Sequence, residues 1–552
     1  MLFVRQLEAA DGYGNRGYLR AANIPRAFSL VVLFAVMSTA APLVRAQKVP
    51  LAIDSSRPGA KIDRNLFGQF AEHLGHGIYD GIWVGPDSTI PNTRGIRNDV
   101  VAALKAIKVP NVRWPGGCFA DEYHWRKGIG PQRAVTLNPN WGGVIEPNTF
   151  GTHEFMDFLE QIGAEAYISV NIGSGTPQEA SEWLEYLTTA QATTLAKERA
   201  VNGHPAPYKV GYLGMGNESW DCGGNMTPEY YLDQMKIYSR YVRNFNSEQQ
   251  PEKQKGQRML KIAVGPGGGE ARWTEWTEAI MKAYQQHTWS WEMDGLSLHS
   301  YTVVKWPPAY QSVGFGETEY AQILKSTLEM DGLIARHSAI MDKYDPQQKV
   351  ALVVDEWGAW YAPLPGSNPG FLVQQNSQRD AILAALNLNI FARHADRVRM
   401  ANLAQMINVL QAMALTDKEK MVLTPTYYVF KLYVPFQDST FLPVTFDAGL
   451  YTHGDVALPR VDAIAAKDKD GKVWLAITNV DPNRPAEVEV SLAGVSAKSA
   501  TGQTLTAPKV DSVNTFEAPN TVVPKAISAK SEGGKLTLHV EPKSVTVVSI
   551  GI

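Results

Sequence analysis

The chain has 552 residues, 44% of them hydrophobic and 19% charged, ordinary proportions for a soluble globular enzyme and too long for one ordinary domain. A net charge of −3 and a pI near 6.4 leave no basic field to attract phosphates, which argues against nucleic acid as a partner. Two cysteines are no disulfide framework, so the core has to supply the stability.

At the N-terminus Arg20 and Arg26 precede an apolar run over 28–36, and Val44-Arg45-Ala46 offers a small-x-small cleavage site before Gln47. The run is too short for a membrane span. Residues 1–46 therefore read as a signal peptide, which predicts a secreted or periplasmic protein with no membrane contact after cleavage. A strand-like run follows and breaks at Pro58-Gly59.

Beyond it, short apolar runs alternate with amphipathic stretches. The strands predicted are 67–72, 112–114, 166–172, 212–216, 262–265, 296–299, 351–356 and 400–406. The helices predicted are 100–107, 152–162, 228–245, 273–286, 320–344 and 379–395. Eight such units suit a (β/α)8 TIM barrel; an open doubly wound sheet would want a nucleotide fingerprint, and none is found.

After about Tyr433 the helical period disappears and alternating runs take over at 473–478, 486–492, 521–523, 535–540 and 544–550. That is the pattern of a C-terminal antiparallel β-sandwich, jelly-roll-like. The domain reading is a strand within 47–61 that joins the sandwich, a catalytic barrel over 62–433 and the sandwich over 434–552. With no exposed aromatic row, the sandwich reads as a structural cap.

In a barrel the C-terminal strand ends meet the substrate. Here they carry Glu72, Arg113 to Cys118, Asn217 and Glu218, His299 and Tyr301, Glu356 and Trp357, and Gln405. A carboxylate there is costly to desolvate unless it is used, and two of them, Glu218 and Glu356, are what glycoside hydrolysis needs. The 14 Trp and 22 Tyr suit sugar faces but also suit a core. No nucleophile triad and no metal cluster stands out, so neither a cofactor nor a metal is expected. His73 and His76 lack a third ligand spaced with them. The glycine run over 265–269 lacks the Lys-Ser/Thr of a phosphate loop and reads as a connection after the fifth strand. Trp357 and Trp360 either form a sugar platform or pack beside Glu356.

Five separated motifs then carry a resemblance: Gly68-Gln69-Phe70-Ala71-Glu72-His73-Leu74-Gly75 with Tyr79-Asp80-Gly81-Ile82-Trp83-Val84-Gly85, Val112-Arg113-Trp114-Pro115-Gly116-Gly117, Gly216-Asn217-Glu218, Asp355-Glu356-Trp357 and Ala404-Gln405-Met406-Ile407-Asn408-Val409. From about Leu51 to the C-terminus, in order, the chain resembles the α-L-arabinofuranosidases of glycoside hydrolase family 51. The resemblance implies a retaining, exo-acting enzyme on arabinan, arabinoxylan or their oligosaccharides. It implies Glu218 as general acid/base, Glu356 as nucleophile, Asn217 on the sugar 2-hydroxyl, and Glu72, Tyr301 and Gln405 lining the sugar site; Cys118 and His299, from their strand-end positions, are expected to meet the sugar beside them. The two carboxyl groups should then lie about 5–5.5 Å apart. Arg113 either keeps Glu356 charged or makes a structural salt bridge, and Trp357 supports the nucleophile. At Cys118 the chain departs from family members that carry Asn, and a thiol is a weaker hydrogen-bonding group. Cys118 and Cys222 both fall on barrel-top loops, as a disulfide or as two free thiols. Relatives suggest a homo-oligomer, such as a hexamer. The rival readings are an endo-β-1,4-glucanase on the same scaffold and a non-catalytic carbohydrate-binding protein.

Overall fold

The eight apolar runs close into one parallel barrel in chain order, the eighth strand pairing with the first at Asn402↔Gly68 and Leu403↔Gln69. The computed structural model describes residues 47–249 and 258–552; the predicted signal peptide lies outside the described residues. The barrel strands are Gly68–Phe70, Asn111–Trp114, Glu165–Val170, Tyr212–Met215, Leu260–Ala263, Gly295–Thr302, Ala351–Ala359 and Val398–Leu403. They are covered on both faces and so read as near-continuous apolar runs; all nine residues of the seventh are buried. Tyr167, Ile262, Val353 and Met400 fill the interior as a packed floor beneath the strand ends, not as a pore.

Helices start where a Thr-Pro pair allows. Thr176, Thr227 and Thr424 each accept a hydrogen bond from the backbone N–H three residues on, and the proline that follows supplies a preset φ and needs no N–H partner. Of these three helices, Pro177–Thr188 and Pro425–Tyr433 go beyond the predicted set, as does Thr194–Val201.

The sandwich consists of two sheets. The smaller runs Val444–Phe446, Gln47–Ile53, Ala486–Leu492 and Leu536–Val540; the larger has six strands, with Val473–Asn479 and Ser544–Gly551 at its centre. Gln47–Ile53 sits between two neighbours, antiparallel to Val444–Phe446 and parallel to Ala486–Leu492. Its inward residues Val49, Leu51 and Ile53 alternate with exposed ones and join the sandwich core. The strand predicted at 521–523 does not form. Val522 is instead pinned in a loop, its N–H donating to Asn514 Oδ1 at 2.7 Å and its carbonyl accepting from Asn514 Nδ2 at 3.0 Å.

Barrel and sandwich share the helix Gln378–Arg393, which is buried all round through Ala392. Its Asn389 and Arg393 both donate to Asp462 of the sandwich, at 2.9 Å each. No helix among the described residues is long and apolar enough to cross a membrane. Because Leu51 is 1% exposed in the sandwich core, Leu51→Ala should cost about 2–5 kcal/mol. A lower midpoint in chemical denaturation followed by tryptophan fluorescence is the expected result.

Candidate active site

Arg113, on the second strand and 1% exposed, organises the top of the barrel. Its Nη1 donates to Glu356 Oε1 at 2.7 Å and its Nη2 to Asn217 Oδ1 at 2.6 Å, while Nε faces Asp355 Oδ2 at 3.5 Å. Burial opposes this charge, but Asp355 and Glu356 outweigh it and raise the guanidinium above its usual range. Asp355, where burial likewise disfavours charge, is held below the usual carboxylate range by Arg113 and His299 and accepts from Tyr167 Oη at 2.6 Å.

Consecutive residues of a regular strand point to opposite faces, yet both Asp355 and Glu356 meet Arg113. The seventh strand shifts register between Val354 and Trp357, a bulge that turns both carboxylates inward. Trp357 then faces outward: fully buried, it packs against Phe391 and Phe430 in the helical layer, away from the pocket. Trp360 is the tryptophan on this strand's outgoing loop that lines the pocket.

Glu218 follows the fourth strand with its side chain 19% exposed, facing the mouth. Its backbone is left-handed, φ +37°, directly after Gly216 at +90° and Asn217. For a glutamate that conformation costs about 1–3 kcal/mol, and it persists because the surroundings fix it. Buried Asp121 accepts the backbone N–H groups of Ile172, Gly173 and Asn217 at 2.9, 2.9 and 3.1 Å, anchoring the turn. His299 Nδ1 lies 2.8 Å from Glu218 Oε1. Burial pushes the Glu218 carboxyl up, His299 works against that, and Glu356 pushes it further up. His299 is itself raised to about 10, because Glu356, Asp355 and Glu218 together overcome its burial.

Glu356 presents Oε2 to Tyr301 Oη at 2.8 Å. Glu72 takes the backbone N–H groups of Gly117 and Phe119 on one oxygen, at 2.9 and 3.1 Å, and Gln405 Nε2 on the other at 2.8 Å. A Cβ on Gly116 would come within 2.7 Å of Glu72 Cγ, which is why glycine is needed there. Glu72, Cys118, Asn217, Glu218, Tyr301, Glu356 and Gln405 thus converge on one small pocket, closed by Trp141, Trp360, Leu74, Leu372 and Leu410. His299 lies beneath it and Arg113 behind it. Cys118 and Cys222 are joined in a disulfide that ties the loop after the second strand to the loop after the fourth. A second, larger cavity, about 970 Å³, opens beside Asp63, Glu165 and Tyr212 at the opposite, structural end of the barrel.

One carboxylate oxygen each from Glu218 and Glu356 lies, with a His299 nitrogen, within a 4.8 Å span. A cation there would compete with the proton that the raised His299 holds, so the trio suits proton transfer better than metal binding. One carboxyl here is pushed up and the other is bonded to a guanidinium, the kind of contrast that lets paired carboxyls divide acid and base roles.

Sequence profiles of the Alpha-L-arabinofuranosidase 1 domain and the Alpha-L-arabinofuranosidase C-terminal domain match residues 103–289 and 355–544. An intracellular exo-alpha-L-arabinofuranosidase of Bacteroides ovatus is 42% identical, over 94% of this chain and 99% of its own. The crystal structure of a GH51 arabinofuranosidase from Xanthomonas axonopodis pv. citri is 52% identical with a TM-score of 0.86, covering 91% of this chain and all of that one. An arabinose complex of the Thermotoga maritima α-L-arabinofuranosidase is 30% identical with a TM-score of 0.78, at the same coverage. The Bacteroides relative corrects the expectation of a secreted or periplasmic protein, since it is intracellular and aligns almost end to end. The nine-residue apolar run over 28–36 behind two arginines is a short signal, and composition alone does not make it a leader.

Thiol titration of the unfolded, unreduced chain should find no free thiol and, after reduction, two per chain.

Proposed function

The chain belongs to the α-L-arabinofuranosidases of glycoside hydrolase family 51 and removes terminal arabinofuranosyl residues as an exo-acting hydrolase, and from its site we infer that Glu356 is the nucleophile and Glu218 the general acid/base. The observation that carries the assignment is the closeness of the two carboxyls, oxygen to oxygen within 4.8 Å, in opposed environments. That closeness supports the roughly 5–5.5 Å arrangement of retaining enzymes over the roughly 6.5–9.5 Å of inverting ones.

In the first step a Glu356 oxygen attacks the anomeric carbon, the glycosidic bond breaks, and Glu218 gives its proton to the departing oxygen. His299 then stabilises the Glu218 carboxylate so formed, which takes a proton from water as that water releases the sugar from Glu356. Tyr301 and Arg113 hold the nucleophile, while Asn217, Glu72 and Gln405 present acceptors and donors to the sugar hydroxyls. A closed pocket supports single-residue removal over an endo-acting cleft. Arabinan and arabinoxylan side chains are the proposed sources.

Purified enzyme should release nitrophenol rapidly from nitrophenyl α-L-arabinofuranoside and leave a β-linked cello-oligosaccharide intact; the reverse result would replace the substrate and keep the fold. Glu356→Ala should fall below about a thousandth of wild-type turnover. Glu218→Ala should still form the glycosyl-enzyme from an activated aryl glycoside but release it slowly, with added azide restoring release as the glycosyl azide. Failure of azide to rescue it would reverse or remove the assignment.

The alkaline limb of kcat/KM should report loss of the Glu218 proton. His299 favours the Glu218 carboxylate, so His299→Asn should move that limb to higher pH while lowering kcat. A limb that stays or moves down would show that His299 does not act on Glu218.

A further inference from the structure

The sandwich presents no exposed aromatic row, but the flank of the barrel does. The exposed tyrosines and tryptophans among the described residues are Tyr230, Tyr241, Trp289 and Trp306, and the first three stand together. Tyr230 and Tyr241 belong to the helix Pro228–Tyr241, with exposed Ile237 between them. Positions i, i+7 and i+11 fall on one face of a helix, so these side chains form a ridge about 16 Å long at about 1.5 Å per residue. The opposite face is already committed to the core, where Tyr231, Met235 and Tyr238 are buried. A surface helix ordinarily turns polar residues to water; this one turns rings outward.

Trp289 widens the ridge. It sits in the loop after the helix Ala271–Gln285, and Ser239 pins that loop: its hydroxyl donates to the Glu292 carbonyl and accepts the Glu292 N–H, both at 2.8 Å. The Arg240 guanidinium then lies over the Trp289 ring, 5.3 Å from its centre, and props it while the side chain stays 84% exposed. Taking about 150–250 Å² for a whole aromatic side chain, the four apolar groups leave about 500 Å² in water. A contiguous patch of that size on a soluble protein marks a contact surface.

We propose that this ridge is a second glycan-binding surface, which holds the pyranose backbone of a xylan-type chain outside the catalytic pocket. The choice of occupant rests on the arabinoxylan source proposed above. A stable contact with a second copy of this chain wants about 800 Å² from each partner, more than the ridge offers. A single glycan chain wants a narrow row of ring faces, because pyranose C–H faces are apolar while the hydroxyls stay in water, and Tyr and Trp pair an apolar body with a polar tip. None of the ridge residues lines the furanose pocket. A chain held on the flank tethers the enzyme to the polymer, so that its branches meet the pocket at a raised local concentration.

The test uses the full-length enzyme and soluble β-1,4-xylan stripped of arabinose, a probe with nothing to offer the furanose pocket. Retardation in native gels of increasing xylan content gives the dissociation constant. The wild type should be retarded, and an excess of free arabinose should leave that retardation unchanged. The double variant Trp289→Ala with Tyr241→Ala should bind about tenfold more weakly, the scale of two lost stacking contacts, and Trp289→Phe, which keeps a ring, should lose less. Hydrolysis of nitrophenyl α-L-arabinofuranoside should stay at wild-type values in both variants, which shows that they are folded and reads the arabinofuranosidase assignment separately. A wild type that xylan does not retard, variants that bind as tightly as wild type, or retardation abolished by arabinose each overturns the ridge and leaves that assignment standing. A wild-type dimer in sedimentation that the double variant loses also overturns it, since a second copy then covers the ridge.

Discussion

Arg113 is the constraint on which the top of the barrel depends. It brings one buried positive charge to a place where Asp355 and Glu356 are both buried, and its two terminal nitrogens fix Glu356 and Asn217 at once. A lysine could neutralise but could not orient two partners in one plane. Removing either side of such a pair leaves an uncompensated buried charge, a loss of about 3–5 kcal/mol, so the arrangement is stiff as well as charged. The guanidinium also lies over the Phe70 ring, 4.6 Å from its centre, which seats it from the first strand.

From that anchor the hydrogen-bond partners of the two carboxyls follow by distance. Glu356 has Arg113 and Tyr301 as donors on its two oxygens. Glu218 lies further towards solvent and has His299 as its partner, itself balanced by Asp355 beneath. His299 is therefore not a bystander. It is a counter-charge that favours the ionised form of Glu218, the form that the proposed mechanism reaches once the leaving group has gone.

Much of this was legible in the sequence because barrel geometry is regular. Strand runs, helix faces and strand-end positions such as Glu72, Glu218, Tyr301, Glu356 and Gln405 follow from period and order alone. What was not legible depends on irregularity. Asp355 was passed over because period two turns it away from Glu356, and only the bulge brings it back. The same regularity left Trp357 either a sugar platform or a packing partner beside Glu356, and it packs outward once the bulge resets the strand. Asp121 serves backbone N–H groups far along the chain, and no local pattern marks it. Trp141 reaches the pocket from a hairpin, Thr136–Asn138 with Val144–Glu146, whose placement is set by Asn138 donating to the His73 carbonyl at 2.6 Å. The two further helices with Thr-Pro starts were visible in principle, since a Thr N-cap followed by Pro is a legible start signal. The run 521–523 reads as strand because it is one of the short alternating runs between turn signals, although the partners of Val522 are a single asparagine side chain.

The acid/base turn shows how a barrel reconciles precision with strain. Glu218 holds a left-handed backbone that a glutamate leaves readily, and nothing in its own strand prevents that. Three restraints from three directions do: Asp121 on the N–H of Asn217, Trp220 on the carbonyl of Gly265, and the disulfide from Cys222 to Cys118. The disulfide closes 104 residues of chain, which in the loop-entropy account removes about 4–5 kcal/mol of freedom from the unfolded state. That exceeds the backbone cost of the turn, about 1–3 kcal/mol. The strain sits next to the carboxyl proposed to give up and regain a proton in each cycle, and the stiffness sits beneath it, at Arg113, where nothing has to move.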